Sequence, residues 1–330
     1  MFSMFKGPSA LYGGLSLALV AGTGIAPAHA QQYPAKTIRI VVPSAPSTPP
    51  DMVSRIIATE LQRAEGWTVI VENKAGGIQT IAARDVAQSA PDGYSIFAPS
   101  LVSAVARSLL PTSQIDMERD FAPVIKASVS YNALVVKPGI DAQTMGDLVA
   151  LIKANPGKLN YSSGGFGTPA HLIGELFKLD RGLSAVHVPY QQFPMALSDL
   201  LSGVNDYMFV ATLPVTQLVT TGKLRALAVT SPTRLDAFKD VPTVAELGFP
   251  QLAIEDWVGF VMPARTPDPI VATMNRAINK ALQNADLRAS LSKIGGKAVG
   301  GTSADFADFL ALQVKAWDKT VKDAGIKLKN

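Results

Sequence analysis

Cysteine is absent from all 330 residues. That gap excludes disulfides, thiolate metal sites, a thiol nucleophile and a lipid-anchoring cysteine. Histidine occurs three times; His29 lies in a leader-like segment, so His171 and His187 alone remain for acid–base chemistry. Charge is sparse at 17% and nearly balanced, with 30 basic against 26 acidic residues for a net +4. The cations form no Lys/Arg stripe, which argues against nucleic acid as a partner and leaves only a modest bias toward small anions. Also missing are a Gly-Lys-Ser/Thr phosphate loop, a Gly-x-Ser-x-Gly nucleophile elbow, any sustained repeat and any Gly/Ser linker.

What the chain does have is apolar residues, 48% of the total, enough over this length for two cores. Its start stands apart: Lys6 is followed by an apolar or small run from Leu11 to Ile25, and Ala28-His29-Ala30 places small residues around a cleavage point before Gln31. Residues 1–30 therefore read as a signal peptide cleaved after Ala30, since a run of about 15 residues falls short of the roughly 20 that span a bilayer. The mature protein is expected in a periplasm, without a membrane anchor.

Beyond the leader, short β-branched or aromatic runs alternate with helical patterns, the arrangement of an α/β protein with parallel sheets. Strands are expected at residues 38–43, 68–73, 94–99, 133–138, 159–162, 186–190, 207–211, 224–230 and 257–263, too many for one small sheet and suggesting two. Helical spacing is clear at Val53, Ile56, Ile57 and Leu61, and at Val271, Met274, Ile278 and Leu282 behind Pro269. The last helix carries Phe306, Phe309, Leu310, Val314, Trp317 and Val321 on one stripe behind a Thr302/Asp305 capping pattern, so it should dock onto a domain. Without a flexible linker, two domains are best joined by crossing strands. The expected organisation is a first lobe from 31–130 that returns at 253–330, with a second lobe at 131–252.

In open α/β sheets, ligands bind where strands give way to helices, and four such loops stand out. Ser44, Ser47, Thr48 and Asp51 lie in a Pro-rich turn; either they hold a carboxylate with help from the helix dipole, or the turn is merely stiff and Asp51 merely suits a first helical turn. Gly76 and Gly77 permit tight curvature beside Gln79 and Thr80, a weak signal alone, with Lys74 read as a solvated charge. Ser163-Gly164-Gly165-Phe166-Gly167-Thr168 leads to His171; its glycines leave several amides for an anion, and this is the best anion-site candidate. Tyr190 and Phe193 either wall a ligand or pack between domains, with Thr212 ending the following strand.

Enzymatic readings find little support. His171 and Glu175 have helical spacing, yet two ligands do not make a zinc site, and His171 fits better as a helix-face residue bonding the loop or bridging domains. The acidic pairs Asp116/Glu118 and Glu255/Asp256 lie off the expected ligand loops.

At these loops the chain resembles the substrate-binding proteins of tripartite tricarboxylate transporters, the Bug family. The landmarks are Tyr33-Pro34, Val71-Glu72-Asn73, Ala90-Pro91-Asp92-Gly93-Tyr94, Asp120-Phe121-Ala122-Pro123-Val124, Pro156 to Tyr161, His187-Val188-Pro189-Tyr190, Gly222 to Thr230 and Asp240 to Val244. The resemblance implies a type II periplasmic binding protein fold, with two α/β lobes around a cleft, binding di- and tricarboxylates, amino acids or aromatic acids without a cofactor. It carries ligand-loop roles onto Ser44, Ser47, Thr48, Asp51, Gly76 to Thr80, Ser100, Ser163, Gly165, Thr168, His171, Tyr190 and Thr212. The expected partners are a small organic acid and the membrane subunits of a permease, with the binding protein a monomer; presentation of a closed form to a sensor kinase is the alternative. The chain departs from the family pattern where Ser47-Thr48 replaces Gly-Gly, where Ile78, Gln79 and Ala82 replace glycines, and where Gln191-Gln192-Phe193 replaces Lys-Gly-Gly. Side chains there block approach to the main chain, which implies a smaller or differently selective pocket.

Overall fold

The computed structural model describes residues 33–190, 193–323, 325 and 326, together with Met1. The expected signal peptide and the Gln191-Gln192 pair lie outside the described residues.

The expected strands all form, within about two residues of their bounds. In chain order the elements are β1 (Ile38–Val42), α1 (Pro49–Glu65), β2 (Val69–Asn73), α2 (Thr80–Ala87), β3 (Ser95–Phe97), α3 (Leu101–Leu109), β4 (Phe121–Ser130), β5 (Asn132–Val136), α4 (Met145–Ala154), β6 (Asn160–Ser163), α5 (Pro169–Arg181), β7 (Val186–Pro189), α6 (Phe193–Leu201), β8 (Tyr207–Ala211), α7 (Thr212–Thr220), β9 (Arg225–Val229), β10 (Asp256–Pro263), α8 (Asp268–Gln283), α9 (Ala285–Lys293), β11 (Gly296–Ala298) and α10 (Ser303–Asp323). Two strands were not expected. In β4, Pro123 and Lys126 interrupt the apolar pattern; β11 is a three-residue Gly-Lys-Ala edge that owes its shape to pairing with β4 and not to its own propensity.

The strands form two sheets, ordered β11-β4-β10-β3-β1-β2 and β7-β6-β8-β5-β9. In the first, β1 runs parallel to β2 and β3, while β10 returns antiparallel between β3 and β4. The first sheet thus takes strands from both ends of the described chain, and the second takes its strands from the middle. Only Tyr131 separates β4 from β5, so the chain passes from one sheet to the other within one residue.

The helix stripe read at the C-terminus docks α10 on the first sheet. Phe306, Leu310, Trp317 and Val321 are buried among residues of β1, α2, α3 and β10, with Phe309 and Val314 partly buried beside them. Each such aromatic contributes roughly 1.5–3 kcal/mol by leaving water. Thr302 and Asp305 close the helix start reciprocally: the Thr302 N–H donates to Asp305 Oδ2 at 2.8 Å, and the Asp305 N–H to Thr302 Oγ1 at 3.0 Å. Gly259 of β10 makes room for this docking, because a Cβ there would strike the Phe306 ring. Among the described residues no helix is long and apolar enough to cross a membrane.

Candidate functional site

The parallel strands β1 and β2 of the first sheet, and β6, β7 and β8 of the second, end in the loops singled out above. In the first loop Asp51 is turned into the fold. Its Oδ2 accepts from the Ser47 N–H at 2.9 Å, its Oδ1 from Asn73 Nδ2 at 2.8 Å, and Arg55 Nε reaches both oxygens at 3.0 and 3.1 Å. Burial acts to raise this carboxyl, but the bonds from Arg55, Asn73 and Ser47 hold it below the usual range. Thr48 Oγ1 donates to Ala45 O at 2.7 Å, so Ser44 Oγ must be the donor in its 2.6 Å bond to Thr48. Both hydroxyls then face outward only as acceptors. Pro49 and Pro50 also remove the first amides of α1, and the first loop is a poorer anion site than its composition suggests.

The second loop offers more unpartnered main-chain donors than its weak sequence signal suggests. Gly76, Gly77, Ile78 and Gln79 all have positive φ, at 124°, 56°, 51° and 70°. Among the described residues the amides of Gly76, Gly77 and Ile78 have no protein acceptor, while that of Gln79 closes the short 3-10 turn. A run of left-handed residues turns successive N–H groups toward one concave side, which suits an anion. The Gln79 side chain is not part of that surface: it is buried, donating to Ser100 Oγ at 2.9 Å and accepting from Ser100 and Ser103. Ser103 was not anticipated, having no signal beyond its place in the first turn of α3. Thr80 Oγ1 closes the loop onto Gly77 O at 2.7 Å.

The third loop is held by its own bonds. The Gly165 N–H donates to Ser163 Oγ at 3.1 Å, the Gly167 N–H to His171 Nδ1 at 3.1 Å, and the Thr168 N–H to Gly165 O at 3.4 Å. The expected set of free amides narrows to those of Gly164 and Phe166, which have no partner among the described residues. Thr168 caps α5 by accepting from the His171 N–H, and Ser163 Oγ meets His187 Nε2 at 2.7 Å. The His171 ring stacks on His187 at 4.5 Å, with the Phe166 edge against both. Burial lowers the His171 pKa to about 4, against the pull of Glu175, so the ring is neutral and accepts the Gly167 amide.

The remaining candidates divide. Tyr190 donates to Asp199 Oδ2 at 2.6 Å and accepts from Asn205 at 2.9 Å, and with Phe193 it packs on the cluster around Ala196 and Leu200. Both are partly buried against the second sheet's cluster. Thr212 is buried at the start of α7, its N–H donating to Tyr131 O at 3.1 Å.

Loops from the two sheets touch. A Cβ on Gly167 would lie 3.3 Å from Ile78 Cγ2 and 3.4 Å from Leu109 Cδ1, and one on Gly295 would lie 2.9 Å from Leu213 Cβ. Leu213 was not identified from sequence, and Ile78 was noted there only as a side chain standing where the family has glycine. Among the described residues no cluster of acidic or histidine side chains is arranged to hold a metal.

Two α/β sheets joined by crossing strands, with glycine-rich loops of each meeting face to face, define a two-lobed periplasmic binding protein. The chain matches the Tripartite tricarboxylate transporter family receptor over residues 53–326, and it belongs to that family. It is 34% identical to Protein BugT of Bordetella pertussis over 313 residues, 94% of this chain and 96% of that one. Among solved structures, the periplasmic binding protein BugD superposes with TM-score 0.80 at 28% identity, covering 90% of this chain and 100% of that one. Rpa4515 of R. palustris with adipate superposes with TM-score 0.81 at 29% identity, over the same shares of the two chains.

Proposed function

We propose that this protein captures a small organic acid between its lobes and delivers it to the membrane subunits of a tripartite permease, without chemistry on the ligand. The observation that carries this reading is the run of three amides, Gly76 to Ile78, with no protein acceptor beside the third loop. Main-chain donors of this kind hold a carboxylate without a cation, and water bridges complete the contact. A structural neighbour seen with adipate supports the ligand class. The lobes in this reading are residues 31–130 with 253–330, and residues 131–252; they close by hinge motion about the crossings near Tyr131. The protein works as a periplasmic monomer after cleavage behind Ala30, and it needs no cofactor.

The test is a thermal-shift screen of residues 31–330 against mono-, di- and tricarboxylates, aromatic acids and amino acids, followed by titration of the isotope-labelled protein. At least one acid should raise the melting temperature and move the amide resonances of Gly76 to Ile78. An acid that binds while leaving those resonances in place would remove the second loop from the site.

A further inference from the structure

A cavity of about 430 Å³ opens between α5 and α10, a volume in the range of small-molecule sites. Its walls come from both sheets' cores. Leu176 of α5 and Ile254 each pack against the core of the first sheet and against that of the second. Tyr131 lies on the passage from β4 to β5, and Ile254 and Glu255 lie on the return passage into β10, so both chain crossings border the cavity. Gln313 and Trp317 of α10 close the side toward the first sheet. No residue of the four ligand loops lines it.

The polar groups on these walls include donors without acceptors. Thr230 is buried; its Oγ1 accepts from the Asn132 N–H at 3.0 Å, and its own hydroxyl hydrogen meets no acceptor among the described residues. Gln313 Oε1 accepts from Trp317 Nε1 at 3.3 Å, which leaves the Gln313 amide hydrogens unengaged there. The Tyr131 hydroxyl has no partner among the described residues either, and burial, with the Glu255 carboxylate nearby, raises its pKa so that it keeps its proton. A buried donor left unpaired is a cost, and an acceptor oxygen carried in by a guest relieves it.

Charge decides what kind of oxygen fits. Glu255 is the charged residue on these walls, and its carboxylate is already paired with Lys126. A carboxylate brought here would gain no free cation and would face Glu255 as a like charge; a neutral carbonyl meets neither penalty. The remaining walls, with Leu176, Ile254, Ala316 and the rings of Tyr131 and Trp317, suit a flat apolar body.

We propose that this cavity is a second binding site, separate from the acid cleft, for a small neutral carbonyl compound built on an aromatic ring, such as an aromatic amide or ketone. Its oxygen draws on the donors of Thr230, Tyr131 and Gln313, and its ring lies among the apolar walls. The site stands apart from the acid-capture reading, since neither its residues nor its ligand's charge are those of the cleft.

Benzamide and acetophenone are the probes, with benzoate as the charged counterpart, each titrated into isotope-labelled residues 31–330 and followed by amide and indole resonances. Benzamide should saturate with a dissociation constant on the order of millimolar, as expected for so small a ligand. It should move the resonances of Tyr131, Leu176, Ile254 and the Trp317 indole while leaving Gly76 to Ile78 in place, and acetophenone should do the same. Benzoate should move the cavity resonances about tenfold more weakly; any benzoate held at Gly76 to Ile78 is read there separately. Ala316→Trp, which puts an indole into the cavity, should weaken benzamide about tenfold or more, whereas Leu312→Trp, on the exposed side of the same helix, should not. Ala253→Trp fills the cavity from the crossing opposite and gives the same reading if α10 does not tolerate the change. Benzamide that moves no cavity resonance, or that binds the filled variants as well as the native chain, overturns the proposal. So does an equal loss in Leu312→Trp, and benzoate bound in the cavity as tightly as benzamide overturns the neutral ligand class.

Discussion

Ser47, Ile78 and Gln79 are the non-glycine residues with positive φ among the described residues, at 66°, 51° and 70°, and each stands where the family resemblance calls for glycine. The backbone has kept the glycine conformation while the side chains have changed. For an L-residue the left-handed region costs roughly 1–2 kcal/mol, and for a β-branched residue such as Ile78 it is rarer still. Ser47 makes the cleanest test, because its side chain has no hydrogen bond and is exposed. Ser47→Gly should stabilise the protein by about 0.5 kcal/mol, the relief of strain less the entropy of an added glycine, read as a higher urea midpoint; a lower midpoint would mean the turn is not strained. At Asp51 the sequence left two readings open, ligand contact or helix start, and the three groups that converge on its carboxylate favour a third, a buried brace between loop, α1 and β2. Asp51→Ala strands the Ser47 and Asn73 donors and should lower stability by about 2 kcal/mol, seen as a melting shift with and without ligand alike.

At the scale of elements, legibility followed propensity and pattern. The α10 stripe, the Thr302/Asp305 cap and the apolar central strands are local signals, and all form as read. Missed elements were those made by their neighbours: β11 is a strand because β4 pairs with it, and the left-handed turn at Gly76 to Gln79 is set by its closure onto Gly77 O and the buried Gln79–Ser100–Ser103 contact. Counting amides from sequence also overestimated the third loop, since the bonds that consume them come from the Ser163 and His171 side chains. That last bond has a pH signature. The folded His171 pKa is about 4, against about 6.5 for the unfolded chain. The unfolded state thus binds more protons between these values; stability is complete above about pH 6.5 and is lost as pH falls toward 4, by about 3 kcal/mol. Asn at 171 keeps an acceptor for the Gly167 amide without titrating. Denaturant midpoints for the native chain should fall from pH 7 to pH 4.5 more steeply than for His171→Asn, and equal slopes would show that the ring is not held neutral.

For the whole molecule, the proposed capture depends on how readily the lobes come together, and the contact at Gly167 is where that balance can be moved. Gly167 has φ +78°, and a side chain there would press on Ile78 and Leu109 of the other lobe at 3.3 and 3.4 Å. Alanine at this position combines backbone strain with a steric term felt only when the loops meet, so it should favour the separated lobes. A shift of about 1.4 kcal/mol in that equilibrium lowers apparent affinity about tenfold, since ligand must then draw the protein back from a less competent population. Gly182 supplies the control, because its φ is +61° with nothing within 4 Å of a Cβ. Gly182→Ala carries the same kind of backbone strain without touching the other lobe, and it should lower stability while leaving affinity in place. Small-angle scattering of the ligand-free proteins should then show a larger radius of gyration for Gly167→Ala than for the native chain or Gly182→Ala, with ligand restoring the native value. Equal radii and equal affinities in the two variants would mean that the Gly167 contact does not govern closure.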